Sequence, residues 1–304
     1  MHLLDCEGKI MNKFSFSYGQ EAYLFGMNRI KYVVSHDANK THRFMNLLRF
    51  IFNRLPSSEF QESNGISINA YFNDYIINVK EWDYFEVSST YDMHSDFRLP
   101  TSSLLFKCLD ALCEDIELLD ELNTINILMN DVATALTDKA EEEGLPLLIR
   151  NQDINKKQLL KLLEVILWNQ EEYTFPIDML YCDYIILQLK MAQALAKCKP
   201  DNKVLVFLDF TDYDEKISEY LKSIKEKNIH IVAYCGQVYS SCEDIHDVLF
   251  FKDKTVDFAD EEKLYEEILN LYDGYIEYDE LVEELFNIIK GKNSDRIDKV
   301  LSLL

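Results

Sequence analysis

Lys40 and Thr41 close the stretch VSHDANKT, residues 34–41, which follows the apolar run RIKYV and precedes the amphipathic HRFMNLLRFIF. Strand, polar loop and helix with Lys-Thr at the junction is the order of a phosphate-binding loop, G-x-x-x-x-G-K-[ST]. Such a loop needs glycine because its backbone N–H groups turn inward at positions that other residues resist. Here Val34 and Asn39 stand at both glycine positions. Asn tolerates left-handed geometry and Val does not. The second mark of a nucleoside triphosphatase is an apolar strand ending in Asp for the magnesium. Leu205-Val206-Phe207-Leu208-Asp209 supplies one. Lys40, Thr41 and Asp209 therefore trace the skeleton of a nucleotide site whose loop has lost its glycines. The residues leave three readings: a relic, an active enzyme, or a coincidental apolar strand followed by Asp.

Three further sets of residues carry potential chemistry. The run DALCEDIELLDE, 110–121, brings Asp110, Glu114, Asp115 and Glu117 close together on a helix. Clustered carboxylates are the hard-oxygen donors calcium prefers, but the spacing is not that of an EF-hand and by itself favours a solvated helix face. His36 and His42 are six apart, with neither H-x-x-x-H nor a Cys at zinc spacing, and read as solvated. No G-x-S-x-G is present to suggest a hydrolase elbow. The cations Arg29, Lys31, Lys40, Arg43, Arg49 and Arg54 cluster around the 34–41 loop in sequence and read as a groove for a phosphate backbone. Arg43, Arg49 and Arg54 share no strict helix face, so some of them read as merely solubilising.

The elements that must position these residues follow from periodicity. Residues 13–18, 22–25 and 30–34 read as strands, 41–54 as a helix, and 67–72 and 75–79 as two more strands. The motif RLPTSS, 98–103, marks a boundary, with Ser102 or Ser103 as the cap of the next helix. Leucines and their like recur at three- and four-residue steps from 104 to about 136, predicting one long helix, broken at Gly144-Leu145-Pro146. Helices are predicted over 154–168 and 177–197. KVLVFLDF, 203–210, suits a central parallel strand. A charged helix at 213–227 and a strand at 229–235 complete a βαβ unit. HDVLFF, 246–251, precedes an acidic helical end.

Composition bounds the reading. With 304 residues, 48% hydrophobic and only 8 Gly and 5 Pro, a sizeable helix-rich core is affordable and an all-β sandwich is disfavoured. Seven cysteines without a C-x-x-C pair fit a reduced, cytoplasmic setting. The N-terminus has no apolar signal region and no run spans a membrane. The net charge of −23 argues against a generic nucleic-acid coat. It is uneven: residues 1–56 hold 8 Lys and Arg against 4 Asp and Glu, whereas 255–304 hold 5 against 14. A basic face on an acidic body remains open. The expected organisation is a discontinuous α/β head at 1–103 and 200–254, an α-helical leg at 104–199, and an acidic helical extension at 255–304.

Three stretches then resemble a known family: RIKYVVSHDANKTHRFMNLLRFIF, the paired strands SINAYFNDYIINVKEW before the helix at 104, and residues 159–213. In order and spacing they are similar to the ring-forming accessory protein for spacer acquisition in type II-A CRISPR systems, over roughly residues 12–250. The resemblance implies an α/β, degenerate P-loop-NTPase-like head with an inserted helical leg and an appended C-terminal helical element. It implies a non-enzyme that forms homotetrameric rings. It further implies calcium held by acids around the leg, here Asp110, Glu114, Asp115 and Glu117, and no bound nucleotide. Double-stranded DNA ends would sit in a basic hole lined by residues such as Arg29, Lys31, Lys40, Arg43, Arg49 and Arg54. The partners would be the integrase pair and the RNA-guided nuclease, with no membrane. Asp209 departs from the family pattern, in which that strand need not end in an acid, and residues 255–304 suit a longer subfamily. The alternatives are an ATPase or nuclease of a defence system using Lys40, Thr41 and Asp209, or a protein-binding helical scaffold.

Overall fold

The computed structural model describes residues 11–19, 21–52, 68–168, 173–252, 254–259, 261–271 and 276–292. The chain divides into two compact units, Met1–Ser89 with Asp201–Leu304, and Thr90–Pro200. Among the described residues no helix is long and apolar enough to cross a membrane.

The first unit is mixed α/β. β1 (Asn12–Tyr18), β2 (Glu21–Met27), β4 (Ile68–Phe72) and β5 (Tyr75–Ile76) form an antiparallel sheet in the order β2-β1-β4-β5. Phe14 faces Phe25 on one neighbour and Phe72 on the other. The turn into β5 uses Asn73 and Asp74, both at positive φ (52° and 66°), the two-residue hairpin geometry that Asn and Asp tolerate. The second sheet contains β3 (Ile30–Ser35), β6 (Trp82–Val87), β9 (Lys203–Asp209), β10 (Ile229–Tyr234), β11 (Val248–Phe251) and β12 (Thr255–Asp257). Its order is β12-β11-β3-β10-β9-β6, parallel except at β12. β9 and β10 are near-continuous apolar runs because both faces of a parallel strand are covered. α1 (Ala38–Phe52) lies between the two sheets' side chains. Its Phe44, Leu47, Leu48 and Phe52 join Phe14, Phe16 and Phe25 from one sheet and Phe207, Val232 and Phe251 from the other in one core.

The acidic C-terminal segment is built onto this unit. α8 (Glu261–Leu271) buries Leu264 and Ile268, and α9 (Tyr278–Ile289) buries Leu281, Leu285, Ile288 and Ile289. The Tyr239 N–H donates to the Ile289 carbonyl at 2.8 Å, tying α9 to the loop after β10.

The second unit is helical: α2 (Met93–Asp96), α3 (Leu104–Leu112), α4 (Ile116–Glu142), α5 (Lys156–Leu160) and α6 (Tyr181–Cys198), with a small hairpin of β7 (Leu167–Trp168) and β8 (Tyr173–Thr174). Leu99, Phe106 and Leu160 form one buried cluster in it, and α6 buries Ile185, Leu189, Ala192 and Leu195. Ser103 caps α3, its hydroxyl oxygen accepting the Phe106 N–H at 3.1 Å. Residues 90–103, which sequence reading grouped with the strands, therefore belong to the helical unit.

Several predicted elements change. The expected helix from 104 to 136 is two helices, because Asp115 accepts the Glu117 N–H and begins α4 afresh. The expected helix at 154–168 shortens to α5. α7 (Glu215–Ser223) is shorter than the predicted 213–227, and β5 shorter than 75–79. β6 and β12 had no clear alternation and were not predicted.

Two buried ionisable groups shape this unit. Lys31, expected to face phosphate, is 1% exposed. Its Nζ lies 2.5 Å from Asp257 Oδ1 and donates to the His246 carbonyl at 2.8 Å. Asp257 in turn accepts the N–H groups of Gly26 (2.7 Å) and Ala259 (3.1 Å). His230 packs among Phe14, Phe72 and Trp82 with Nδ1 buried and unbonded. Burial, then the charge of Lys203, lowers its pKa from 6.5 to about 3.

Two outcomes follow. Lys31→Met leaves Asp257 buried without its cation and should cost about 3–5 kcal/mol in urea unfolding, with part of the loss recovered by adding Asp257→Asn. Unaltered midpoints would contradict the burial. His230 takes up a proton on unfolding below pH 6.5 but not while folded until near pH 3. Its contribution is therefore intact above pH 6.5 and lost as the pH falls through that window, by about 1.4 kcal/mol per pH unit. The stability difference between His230→Phe and the parent should grow with that slope between pH 6 and pH 4.5. A constant difference would contradict it.

Candidate functional site

The loop at 34–41 is closed by its own hydrogen bonds. β3 runs to Ser35 and α1 starts at Ala38, so only two residues connect them. Asp37 caps the helix: its Oδ1 accepts the N–H groups of Asn39 (2.9 Å) and Lys40 (3.1 Å). The Thr41 N–H and hydroxyl both donate to the Asp37 carbonyl, at 3.1 and 3.2 Å. The Ser35 N–H donates to Gly236 O and the His36 N–H to Phe251 O, both at 2.8 Å. Lys40 Nζ donates to the Lys252 carbonyl at 3.0 Å, and His36 Nε2 lies 3.0 Å from Gln237 O. Asn39, the one residue able to imitate glycine, is helical instead. A phosphate loop offers these N–H groups to an anion at the positive end of the helix. Here a carboxylate of the chain itself occupies that end.

Asp209 stands one strand away. β10 separates β3 from β9, and its last residue, Tyr234, pairs with Val33 on one side and Asp209 on the other. The Tyr234 hydroxyl is hydrogen-bonded to Thr41 and feels the charge of Asp209. Burial raises its pKa, Thr41 opposes the rise, and Asp209 adds to it. Tyr234 thus stands between the threonine and the aspartate that would share a magnesium ion. Asp209 Oδ1 instead accepts the Thr211 hydroxyl at 2.9 Å.

The expected basic groove disperses. Lys31 is internal, as described, and Lys40 is tied to Lys252. Arg43 on α1 pairs with Glu21 of β2. Arg49 forms a two-pronged pair with Glu86 of β6, Nε to Oε1 at 2.6 Å and Nη2 to Oε2 at 2.5 Å. This pair raises the Arg49 pKa. Arg29 is half-buried in the turn before β3, and Arg54 lies outside the described residues. Neither glutamate was singled out in sequence, since Glu21 is 22 and Glu86 37 positions from its partner. Asp37 was readable: Asp immediately before an amphipathic run is a helix-cap signal.

The acid run does not converge on a metal. Asp115 is engaged as the α4 cap, and Glu117 lies in the first turn of α4. Lys156 stands against the other two, its Nζ 2.8 Å from Glu114 Oε1 and 3.5 Å from Asp110 Oδ1. Lys156 lowers the Glu114 pKa. Burial alone would lower the Lys156 pKa, but the two acids raise it overall. Among the described residues no three His, Cys, Asp or Glu side chains are grouped to hold a metal ion. Lys156 thus already supplies a counter-ion to Asp110 and Glu114 within the chain. No sequence signal joins Lys156 to Asp110 across 46 positions.

α4 is the other prominent surface. Of its 27 residues only Leu122 and Ala133 are buried, while Ile116, Ile127, Leu128, Val132 and Leu136 are exposed. It is braced by the segment 145–155 through Asn126, which accepts the Ile154 N–H at 2.8 Å, and Thr137, which accepts the Ile149 N–H at 3.0 Å.

No family model and no curated protein matches the chain. Among solved structures it is similar to Stu0660 of Streptococcus thermophilus, with 15% identity and a TM-score of 0.69, over 95% of this chain and 91% of that one. At that identity the likeness is one of fold, and the two chains share it over nearly their whole lengths.

Proposed function

We propose that this chain is a non-enzymatic protein that assembles into a ring and holds the ends of double-stranded DNA during spacer acquisition in CRISPR defence. Its parallel sheet is the remnant of a phosphate-loop NTPase head. The observation that carries the reading is the closed loop, whose donors are engaged within the chain and whose helix end carries Asp37. The resemblance of three stretches to the spacer-acquisition accessory family supplies the DNA role. The fold shared with Stu0660 is compatible with it. The exposed apolar residues of α4, among them Leu128, Val132 and Leu136 at four-residue steps, support self-association, since exposed apolar surface marks interaction sites. In the ring reading, the integrase pair and the RNA-guided nuclease are its functional neighbours. The reading draws no step from calcium, because Lys156 supplies the positive charge at Asp110 and Glu114.

Two outcomes test this reading. With ATP and magnesium, turnover should stay at background in the parent and in Lys40→Ala. Robust hydrolysis abolished by Lys40→Ala would replace the proposal with an ATPase. Titrations of linear and closed circular duplexes at several salt concentrations address the second half. Linear DNA should bind without sequence preference, with a log–log salt slope of about −0.9 per phosphate contact, and circles should bind poorly. Arg43→Ala with Arg49→Ala should weaken binding to every linear duplex alike and flatten the slope. Equal affinity for circles would remove the threading mechanism. Self-association without any DNA binding would leave a protein scaffold.

A further inference from the structure

The two arginines on α1 sit in arrangements of the same composition on opposite flanks of the helix. Six residues apart, they are separated by ~9 Å along the axis and by about two-thirds of a turn. Arg43 meets Glu21, and Glu21 Oε2 also accepts the Tyr23 hydroxyl at 3.4 Å. Arg49 meets Glu86, and Glu86 Oε1 also accepts the Tyr84 hydroxyl at 3.1 Å. In both, the tyrosine lies two residues from the glutamate on the same strand and is buried in the core. Tyr84 thereby holds Glu86, whereas the Tyr23 hydroxyl lies 3.4 Å from both Glu21 and the Lys40 carbonyl and is shared between them. The arginines are the movable members, on long stems along the helix surface, and Arg43 is 64% exposed. A carboxylate offers a guanidinium fork the same pair of oxygens that a phosphate offers.

Resting on the DNA reading above, we propose that Glu21 and Glu86 are built-in phosphate surrogates, holding Arg43 and Arg49 until a duplex backbone displaces them, and so set the affinity for DNA. The exchange is even-handed in chemistry: an arginine leaves one oxyanion pair and gains another, while the glutamate keeps its tyrosine. It also disciplines a protein of net charge −23 that still has to meet a polyanion. With its arginines held, α1 presents paired charge to stray anions. It presents a free cation only where a backbone phosphate competes for that arginine. The pairs are half-exposed to exposed, where such ion pairs contribute little, so displacement is within reach of one phosphate each.

The test is an anisotropy titration of a linear duplex at fixed salt for the parent, Glu21→Gln, Glu86→Gln and the double variant. Glu243→Gln is the control. It breaks an exposed pair with Lys222 on the same unit, 2.7 Å apart, and changes net charge by the same amount. Each of Glu21→Gln and Glu86→Gln should tighten binding by about two- to fivefold, the range that the strength of exposed ion pairs sets. The double variant should gain roughly the product, and Glu243→Gln distinctly less. The Glu21→Gln gain should vanish in an Arg43→Ala background, because it acts through that arginine. Should Glu86→Gln lose its fold by circular dichroism, Glu21→Gln with the Arg43→Ala cycle decides alone. Parent-like affinity in the Gln variants, an equal gain in Glu243→Gln, or a gain that persists without Arg43 would each overturn the inference while leaving the DNA reading intact. Absence of duplex binding in the parent and in the double variant alike would overturn both. Binding by the double variant alone would support the surrogate role.

Discussion

The carboxylate of Asp37 at the N-terminus of α1 is the contact on which the rest of the candidate site depends. It takes up the N–H groups of Asn39 and Lys40, the donors that an anion at this helix end would need. By doing so it lets the helix begin two residues after β3, with no room for a wide loop. That start fixes the phase of α1. Phe44, Leu47, Leu48 and Phe52 then point into the core shared by both sheets, and Arg43 and Arg49 fall on the two flanks, beside Glu21 and Glu86. The glycine-free sequence at 34–41, closure of the loop and placement of the arginines are thus one geometric event seen at three levels.

Around that event the sheet unit follows a consistent electrostatic rule. Its cations near the loop are held by acids or carbonyls of the chain. Lys31 is held by Asp257, Lys40 by the Lys252 carbonyl, Arg43 by Glu21 and Arg49 by Glu86. The depth of each pair decides what it does. Lys31 is buried against a largely covered Asp257, and both are further hydrogen-bonded, so they join β3 to β12 and belong to stability. The arginine pairs lie at the surface, where water and salt weaken them, so they are free to exchange.

The helical unit shows the opposite balance. α3 and α6 bury their apolar faces, and Lys156 neutralises the acids at the end of α3. α4, by contrast, leaves most of its apolar side chains in solvent. A helix of that length is normally held by packing of one face rather than by propensity. The exposed leucines and isoleucines of α4 thus leave an apolar face of the helix in contact with solvent.

How much was legible in the sequence divides along the range of the interactions. Local periodicity identified β1, β2, β3, β4, β9 and β10, because alternation and apolar runs record which faces are covered. The Ser103 cap and the break at Gly144, which has φ +73°, were equally local. Val34 and Asn39 mark a stretch without glycine, and in the structure α1 begins at Ala38 with Asn39 helical. Periodicity failed where a cap overrode it, as at Asp115, which splits a continuous apolar stripe into two helices. It failed again at β6 and β12, strands at the edges of their sheet with weak alternation. Charge was the least legible. A lysine or arginine in sequence carries no sign of its partner, and Arg49, Lys156 and Lys31 find theirs 37, 46 and 226 positions away or reach them through the fold alone. Apolar spacing acts within a few residues, so most strands and helices are marked in the chain before it folds, with β6 and β12 as exceptions. Which cations turn inward, which are held by carboxylates and which acids already have a counter-ion follows from proximity in space, and the fold alone sets that.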